Sequence, residues 1–422
     1  MPVFPALPFL LLLLLFSGCS GKNSEANNTA AIMDSAAHME SLSDETEKDQ
    51  AAEDRLRHAA RIAAALDDRQ LAAQVIISGI DGREHLTRDM RLLLTEYPAG
   101  GILLFRYNLD TDNDAIQRLV GEAAALADIP PFVAVDHEGG TVNRFRHGVA
   151  DIPPAISYWE QAQHDDRNRV ATQIFADSYF AGQAINTLGI NVNLAPVAEC
   201  LNEHNSDFLD DRSYGPDPVF TAKAAAAFVA GMELAGILCA AKHFPGTAGT
   251  DPHLFPSVLT GDKAALTELV SPFAVLIHSN CLRALMVSHS AVPAWDDSSI
   301  ASLSPAVMGG WLRQELGFNG IIICDDFSMA SAGGPDSAGG PDSAQGSNSL
   351  KPEALAVRSL AAGADMIMVW PPDLRRTHRA ILGALAGGEL SRERLEEAVQ
   401  RIISEKLRMG LMHEEWGLND GD

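Results

Sequence analysis

The stretch KHFPGTAGTDPH, Lys242 to His253, places a lysine, two histidines and an aspartate within twelve residues. It continues the apolar run GILCAAK, so ionisable groups crowd the point where a buried strand ends. Asp251 stands two residues before His253, close enough to hydrogen-bond its ring. An aspartate so placed orients and polarises an imidazole, which can then give a proton and take one back. A second concentration follows GIIIC at Asp325 and Asp326. A carboxylate there is costly to desolvate unless it has partners or work. It could ligate a metal with His243, Asp251, His253 or His289, or attack an electrophilic carbon. The chain carries no HExxH and its first strand no HxH, so no metal and no organic cofactor are expected. As a nucleophile at an anomeric carbon, Asp325 needs a second group to protonate the departing oxygen, and His253 is the candidate.

These groups need a frame. Eight apolar runs read as strands, beginning at Ala72, Gly100, Pro131, Ile190, Gly236, Arg283, Gly320 and Ala364. Helical segments alternate with them, including those from Asp114, Asp217, Ser304 and Arg392, several opening on Asp, Ser or Pro as a helix start prefers. Continuous apolar strands separated by helices predict a parallel sheet covered on both faces, and eight such units predict an α/β fold of the (β/α)₈ TIM-barrel type. The competitor, a doubly wound open sheet, lacks a GxGxxG after its first strand. In a barrel, chemistry belongs at the C-terminal strand ends. Asp136, Lys242–His243, Ser288–His289 and Asp325–Asp326 stand at four of them. Asp326 reads as a cap, and His289 as a lining residue or a strand closer.

The 422 residues are 46% hydrophobic, enough for a large core, and their net charge of -25 argues against nucleic acid or an anionic membrane surface as partner. Residues 1–19 read as an export signal: an apolar run from Leu7 ends at Phe16-Ser17-Gly18-Cys19, which resembles a bacterial lipobox with Cys19 as the lipidated residue. An exported protein on a lipid anchor is expected, with no other membrane contact, as a monomer. Residues 20–55 are polar and acidic and read as a disordered linker, leaving 56–416 for the barrel. Within it SAGGPD repeats at Ser331 and Ser337, marking 331–349 as a low-complexity insert. Cys239 and Cys324 lie inside apolar runs and read as buried thiols.

The chain resembles glycoside hydrolase family 3, in its bacterial β-N-acetylhexosaminidase branch. The resemblance spans Leu71 to Gly410 and rests on DHEGGTVNRFR from Asp136, APVAE from Ala195, DDRSYGPDP from Asp210, AAKHFPG from Ala240, SLSP from Ser302, LRQELGFNG from Leu312 and CDDFSM from Cys324. It implies that Asp325 is the nucleophile, His253 the acid/base and Asp251 its partner. It further implies that Asp136, Arg144, Arg212, Lys242 and His243 bind the sugar. The implied activity is retaining hydrolysis of terminal β-linked N-acetylglucosamine, for example from peptidoglycan fragments. Two departures stand out: DPH replaces the family's DSH, and the loop before Asp251 is two residues shorter and lacks a histidine. A phosphate-dependent phosphorylase and a sugar-binding lipoprotein without turnover stay open as alternatives.

Overall fold

The computed structural model describes residues 50–145, 148–249, 251–333, 351–413 and 416. The signal segment with Cys19, the linker up to residue 49 and the insert beyond residue 333 lie outside the described residues. Eight parallel strands close into a barrel: β1 (Ile76–Gly79), β2 (Gly101–Leu104), β3 (Phe132–Val135), β4 (Val192–Asn193), β5 (Leu238–Phe244), β6 (Ala284–Val287), β9 (Ile321–Cys324) and β10 (Met366–Val369). The pairing of β1 with β10, Ile76 opposite Ile367 and Ser78 opposite Val369, seals it. A small antiparallel hairpin, β7 (Ala291–Val292) with β8 (Asp296–Ile300), follows β6. The expected barrel is the observed one. Every residue of the eight barrel strands is buried, because barrel interior and helical shell cover both faces.

Two boundaries differ from the sequence reading. The first described helix covers residues 50–65, so its first turn lies inside the stretch read as linker. Residues 50–55 are half-buried or exposed, and an exposed helix end carries no apolar signal to distinguish it from a solvated tether. Ala59, Ile62 and Ala63 are buried, and Gln400 of the C-terminal Arg392–Arg408 helix donates to Leu56 O at 3.2 Å. The run from Ala72 is likewise not strand at its start. Ala72–Gln74 finish the Asp68–Gln74 helix, which Asp67 and Gln70 open with a reciprocal capping box.

The shell packs tightly. The Pro218–Leu234 helix crosses the Arg167–Thr187 helix so closely that a Cβ on Gly231 would sit 2.1 Å from Ser178 Oγ, which only glycine allows there. Cys200, Cys239, Cys281 and Cys324 are free thiols. No helix among the described residues is long and apolar enough to cross a membrane.

The base of the barrel, opposite the chemistry, is closed by charge. Asp365, just before β10, receives Arg313, Arg394 and Arg401. Lys406 is fully buried, donating to Gln74 Oε1 at 2.7 Å and Gly100 O at 2.9 Å beneath the Phe132 ring. Burial pushes its amine down to about 7. The unfolded lysine titrates near ~10.4, so between these values the unfolded chain binds a proton that the folded chain does not, and stability rises with pH. Unfolding free energies of wild type and Lys406→Met at pH 7 and pH 9.5 test this. The difference should move in favour of wild type by roughly 2–3 kcal/mol at the higher pH. A pH-independent difference would contradict the assignment.

Candidate active site

The strand ends bring the site together at the C-terminal face. β5 carries the densest group, and a bulge explains how. Ala241 pairs with Leu285 and Phe244 with Val287, so β5 spends one residue more than β6 over this interval. Regular alternation would point Lys242 and His243 to opposite faces; the bulge re-aims them, and both are buried. The Lys242 backbone is held on its other side by bonds to Pro196 O and from Ala198 N.

Lys242 Nζ lies 2.7 Å from Asp136 Oδ1 and 2.7 Å from Glu138 Oε1. Arg212 grips Glu138 with Nε at 2.8 Å and Nη2 at 2.9 Å. Burial alone would raise the Glu138 carboxyl, but Arg212 and Lys242 outweigh it and hold it well below the usual range. Lys242 is kept protonated the same way: burial lowers it, and Asp136 and Glu138 more than restore it. The chain Asp136–Lys242–Glu138–Arg212 is thus a rigid charged wall. Arg144 differs. Its Nη2 reaches Asp136 Oδ2 only at 3.8 Å, and its buried Nε has no hydrogen-bond partner, so it is held less firmly than Lys242 or Arg212.

Asp325 follows β9 at the rim and is partly exposed. Burial raises its carboxyl, yet His243, His289, the Asp326 N–H at 2.9 Å and Lys242 together bring it below the usual aspartate value. The result is an ionised carboxylate amid positive potential, accessible at the barrel mouth. Asp326 points elsewhere, accepting from Trp370 Nε1 at 2.6 Å and Ser328 Oγ at 2.6 Å, as a cap does. His289 uses both ring nitrogens: Nε2 lies 3.0 Å from the Asp326 carbonyl and Nδ1 2.7 Å from Ser302 Oγ. The carbonyl can only accept, so the proton sits on Nε2. Burial lowers this ring and the Asp325 and Asp326 charges act against it; with both nitrogens engaged, the ring is held in place rather than free to shuttle a proton.

His253 Nδ1 lies 2.6 Å from Asp251 Oδ1, and the His253 N–H donates to the same oxygen at 2.9 Å. A carboxylate only accepts, so Nδ1 bears a proton and Nε2 is the nitrogen that exchanges one. The pair therefore forms despite the shortened loop and Pro252. The loop is pinned at several points: Gly249 N to His204 O, Ala248 N to Ser257 Oγ, and Ser331 N to Pro252 O at 3.1 Å. The last bond ties the dyad to the segment that follows Asp325. Phe208 lies between the His243 and His253 rings at 6.0 and 6.2 Å, with the Arg212 guanidinium over it at 4.8 Å.

Eight of the nine expected site residues therefore converge on one face; the ninth, Cys19, lies outside the described residues. Two residues escaped the sequence reading. Glu138 sits inside DHEGG and Glu199 inside APVAE, where adjacent residues drew attention instead. The signal available was a carboxylate in a short apolar or glycine-rich context. Glu199 is buried and accepts from His243 Nδ1 at 2.7 Å, Thr247 N at 2.6 Å and Thr247 Oγ1 at 2.8 Å. It fixes His243 and the root of the dyad loop together. Glu199→Gln offers one acceptor atom for these donors and should lower kcat/KM on the order of 10²-fold through misplacement. Parallel circular dichroism and steady-state rates check this, and an unchanged rate would show the loop to be held without Glu199.

The chain matches the glycosyl hydrolase family 3 N terminal domain over residues 68–405. It is 34% identical over 303 residues to a β-hexosaminidase of Idiomarina loihiensis, covering 70% of this chain and 83% of that protein. Its fold superposes on a family 3 β-N-acetylglucosaminidase of Paenibacillus sp. str. FPU-7 with a TM-score of 0.72 and 29% identity, over 85% of this chain and 66% of that one. A family 3 glycosyl hydrolase of Mycobacterium smegmatis gives 0.68 and 28%, over 81% and 98%. A closed barrel with a carboxylate, a His–Asp pair and a charged wall at one mouth, read with these matches, places the chain in glycosyl hydrolase family 3.

Proposed function

We propose that this enzyme is a retaining exo-β-N-acetylglucosaminidase. It removes terminal β-linked N-acetylglucosamine from glycans such as peptidoglycan fragments. The observation that carries the reading is the pairing of an ionised Asp325 with a separate proton-exchanging pair, His253 and Asp251, at one barrel mouth. Asp325 attacks the anomeric carbon as the bond to the leaving oxygen breaks, and His253 Nε2–H gives that oxygen its proton. The resulting imidazole then takes a proton from water, which attacks the same carbon and releases Asp325. Asp251 stabilises the imidazolium in both steps. Asp136, Arg144, Arg212, Lys242 and His243 surround the sugar. The relatives named β-hexosaminidase and β-N-acetylglucosaminidase support the substrate class. The protein acts as a monomer held at the membrane by a lipid on Cys19.

The soluble form lacking residues 1–19 should release nitrophenol from 4-nitrophenyl β-N-acetylglucosaminide without added phosphate. Nuclear magnetic resonance of the first-formed sugar should show the β anomer. The α anomer would refute the retaining mechanism, and a requirement for phosphate would identify a phosphorylase. Labelled fatty acid should enter the full chain but not Cys19→Ala.

A further inference from the structure

One surface feature of the catalytic loop has no part in proton transfer. Leu254 is 61% exposed and Phe255 44% exposed, directly after His253. All the other large apolar side chains left exposed among the described residues lie on helices. These two are consecutive, on a non-helical turn, next to the His253–Asp251 pair. The turn is well defined. Leu254 N and Phe255 N both donate to Asp251 O at 3.0 Å, so one backbone unit displays the carboxylate, the imidazole and the apolar pair. The Ser331 N to Pro252 O bond fixes that unit to the segment behind Asp325. Large apolar groups held in water beside a reacting centre mark a ligand surface.

We propose that Leu254 and Phe255 form the acceptor-side platform, the surface on which the leaving group rests while His253 protonates its oxygen. The proposal rests on the reading of His253 as the acid. The leaving group departs with the oxygen that His253 touches, so it must lie against whatever flanks that ring. The Phe208 ring lies 6.2 Å from it, and the two residues that follow it on the same turn are a branched aliphatic and an aromatic, both open to solvent. A pyranose presents a face of C–H groups, and such a face packs on an aromatic ring and an aliphatic neighbour as few polar surfaces can. The platform therefore selects leaving groups with an extended apolar face, a second sugar ring above all, over small alcohols. Leu254 and Phe255 determine specificity; they carry out no chemical step.

The test compares two unactivated alkyl leaving groups of different size. Wild type, Leu254→Ser, Phe255→Ala and Phe255→Trp are assayed on N,N′-diacetylchitobiose and on methyl β-N-acetylglucosaminide. Free N-acetylglucosamine is used as competitive inhibitor to report the sugar side alone. Leu254→Ser and Phe255→Ala should lower kcat/KM for the disaccharide roughly 10- to 30-fold. They should leave the methyl glycoside and the inhibition constant within about twofold, and Phe255→Trp should keep most of the disaccharide rate. An equal fall on both substrates would mean that the pair only braces the dyad loop, and overturns the proposal. So would an unchanged disaccharide rate. Wild type that cleaves neither substrate would instead remove the glycosidase reading beneath it.

Discussion

Replacing Asp325 with alanine should reduce kcat/KM on an aryl β-N-acetylglucosaminide by roughly 10⁴-fold or more, with the fold intact. The size follows from what the side chain supplies. In the proposed mechanism its carboxylate oxygen bonds to the anomeric carbon, and its surroundings keep it ionised against the cost of burial. No neighbour can substitute, since Asp326 is turned away to Trp370 and Ser328. Alanine also leaves a space where a small anion fits. Azide should therefore restore part of the rate, entering from the face that Asp325 occupied while His253 protonates the leaving phenol. One carbon–nitrogen bond forms as one carbon–oxygen bond breaks, and the product is the α-glycosyl azide, inverted relative to the substrate. A β product, or full activity without azide, would remove Asp325 from the nucleophile's role. The lowered Asp325 value adds a corollary: the acid limb of kcat/KM for wild type should lie below the ordinary aspartate range near ~3.9.

The barrel was legible because its strands are buried on both faces and so are written as continuous apolar runs. All eight were located, and errors fell where burial does not distinguish conformations. Ala72–Gln74 are buried whether helical or extended, and a capping box at Asp67 decides for helix. The positions of Asp136, Lys242 and Asp325 follow from strand ends alone. The role of Lys242 does not, because it depends on a bulge that no local residue pattern announces. Glu138 and Glu199 went unread for a related reason. Their partners Arg212, His243 and Thr247 lie 44 to 74 residues away along the chain, Lys242 farther still from Glu138, and only barrel closure brings them within reach. Sequence motifs mark where chemistry sits; the electrostatic wall that tunes it is assembled by topology. The turn that carries His253 shows the same division. The residues of the dyad were visible as DPH, while the bond from Ser331 that ties it to the nucleophile's segment was not.

Replacing His253 with alanine should give losses that depend on the leaving group, and this dependence identifies the residue better than any single rate. With a disaccharide, the departing oxygen belongs to an alkyl alcohol and cannot leave without a proton, so kcat/KM should fall by about 10²- to 10⁴-fold. With a 2,4-dinitrophenyl glycoside, the leaving phenolate is stable and bond cleavage hardly needs an acid, so kcat/KM should stay within about tenfold of wild type. The second half of the reaction then becomes the exposed weakness. Water must attack without a base, so the glycosyl-enzyme on Asp325 should accumulate, with a burst of dinitrophenol, a low kcat and a low KM. Asp251→Asn should follow the same pattern more mildly. Its amide oxygen can still accept from Nδ1, at present 2.6 Å from the carboxylate, but the charge that stabilises the imidazolium is gone. Equal losses across leaving groups for His253→Ala would mean that the ring positions substrate and that another acid donates the proton. His289 is a poor substitute, since Ser302 and the Asp326 carbonyl occupy both of its nitrogens. His243 has only the nitrogen not bound to Glu199 to offer, on a side chain locked into the barrel wall. The exposed His253, held by one carboxylate on a turn tied to the segment behind Asp325, has both the free nitrogen and the reach toward a departing group that proton transfer requires.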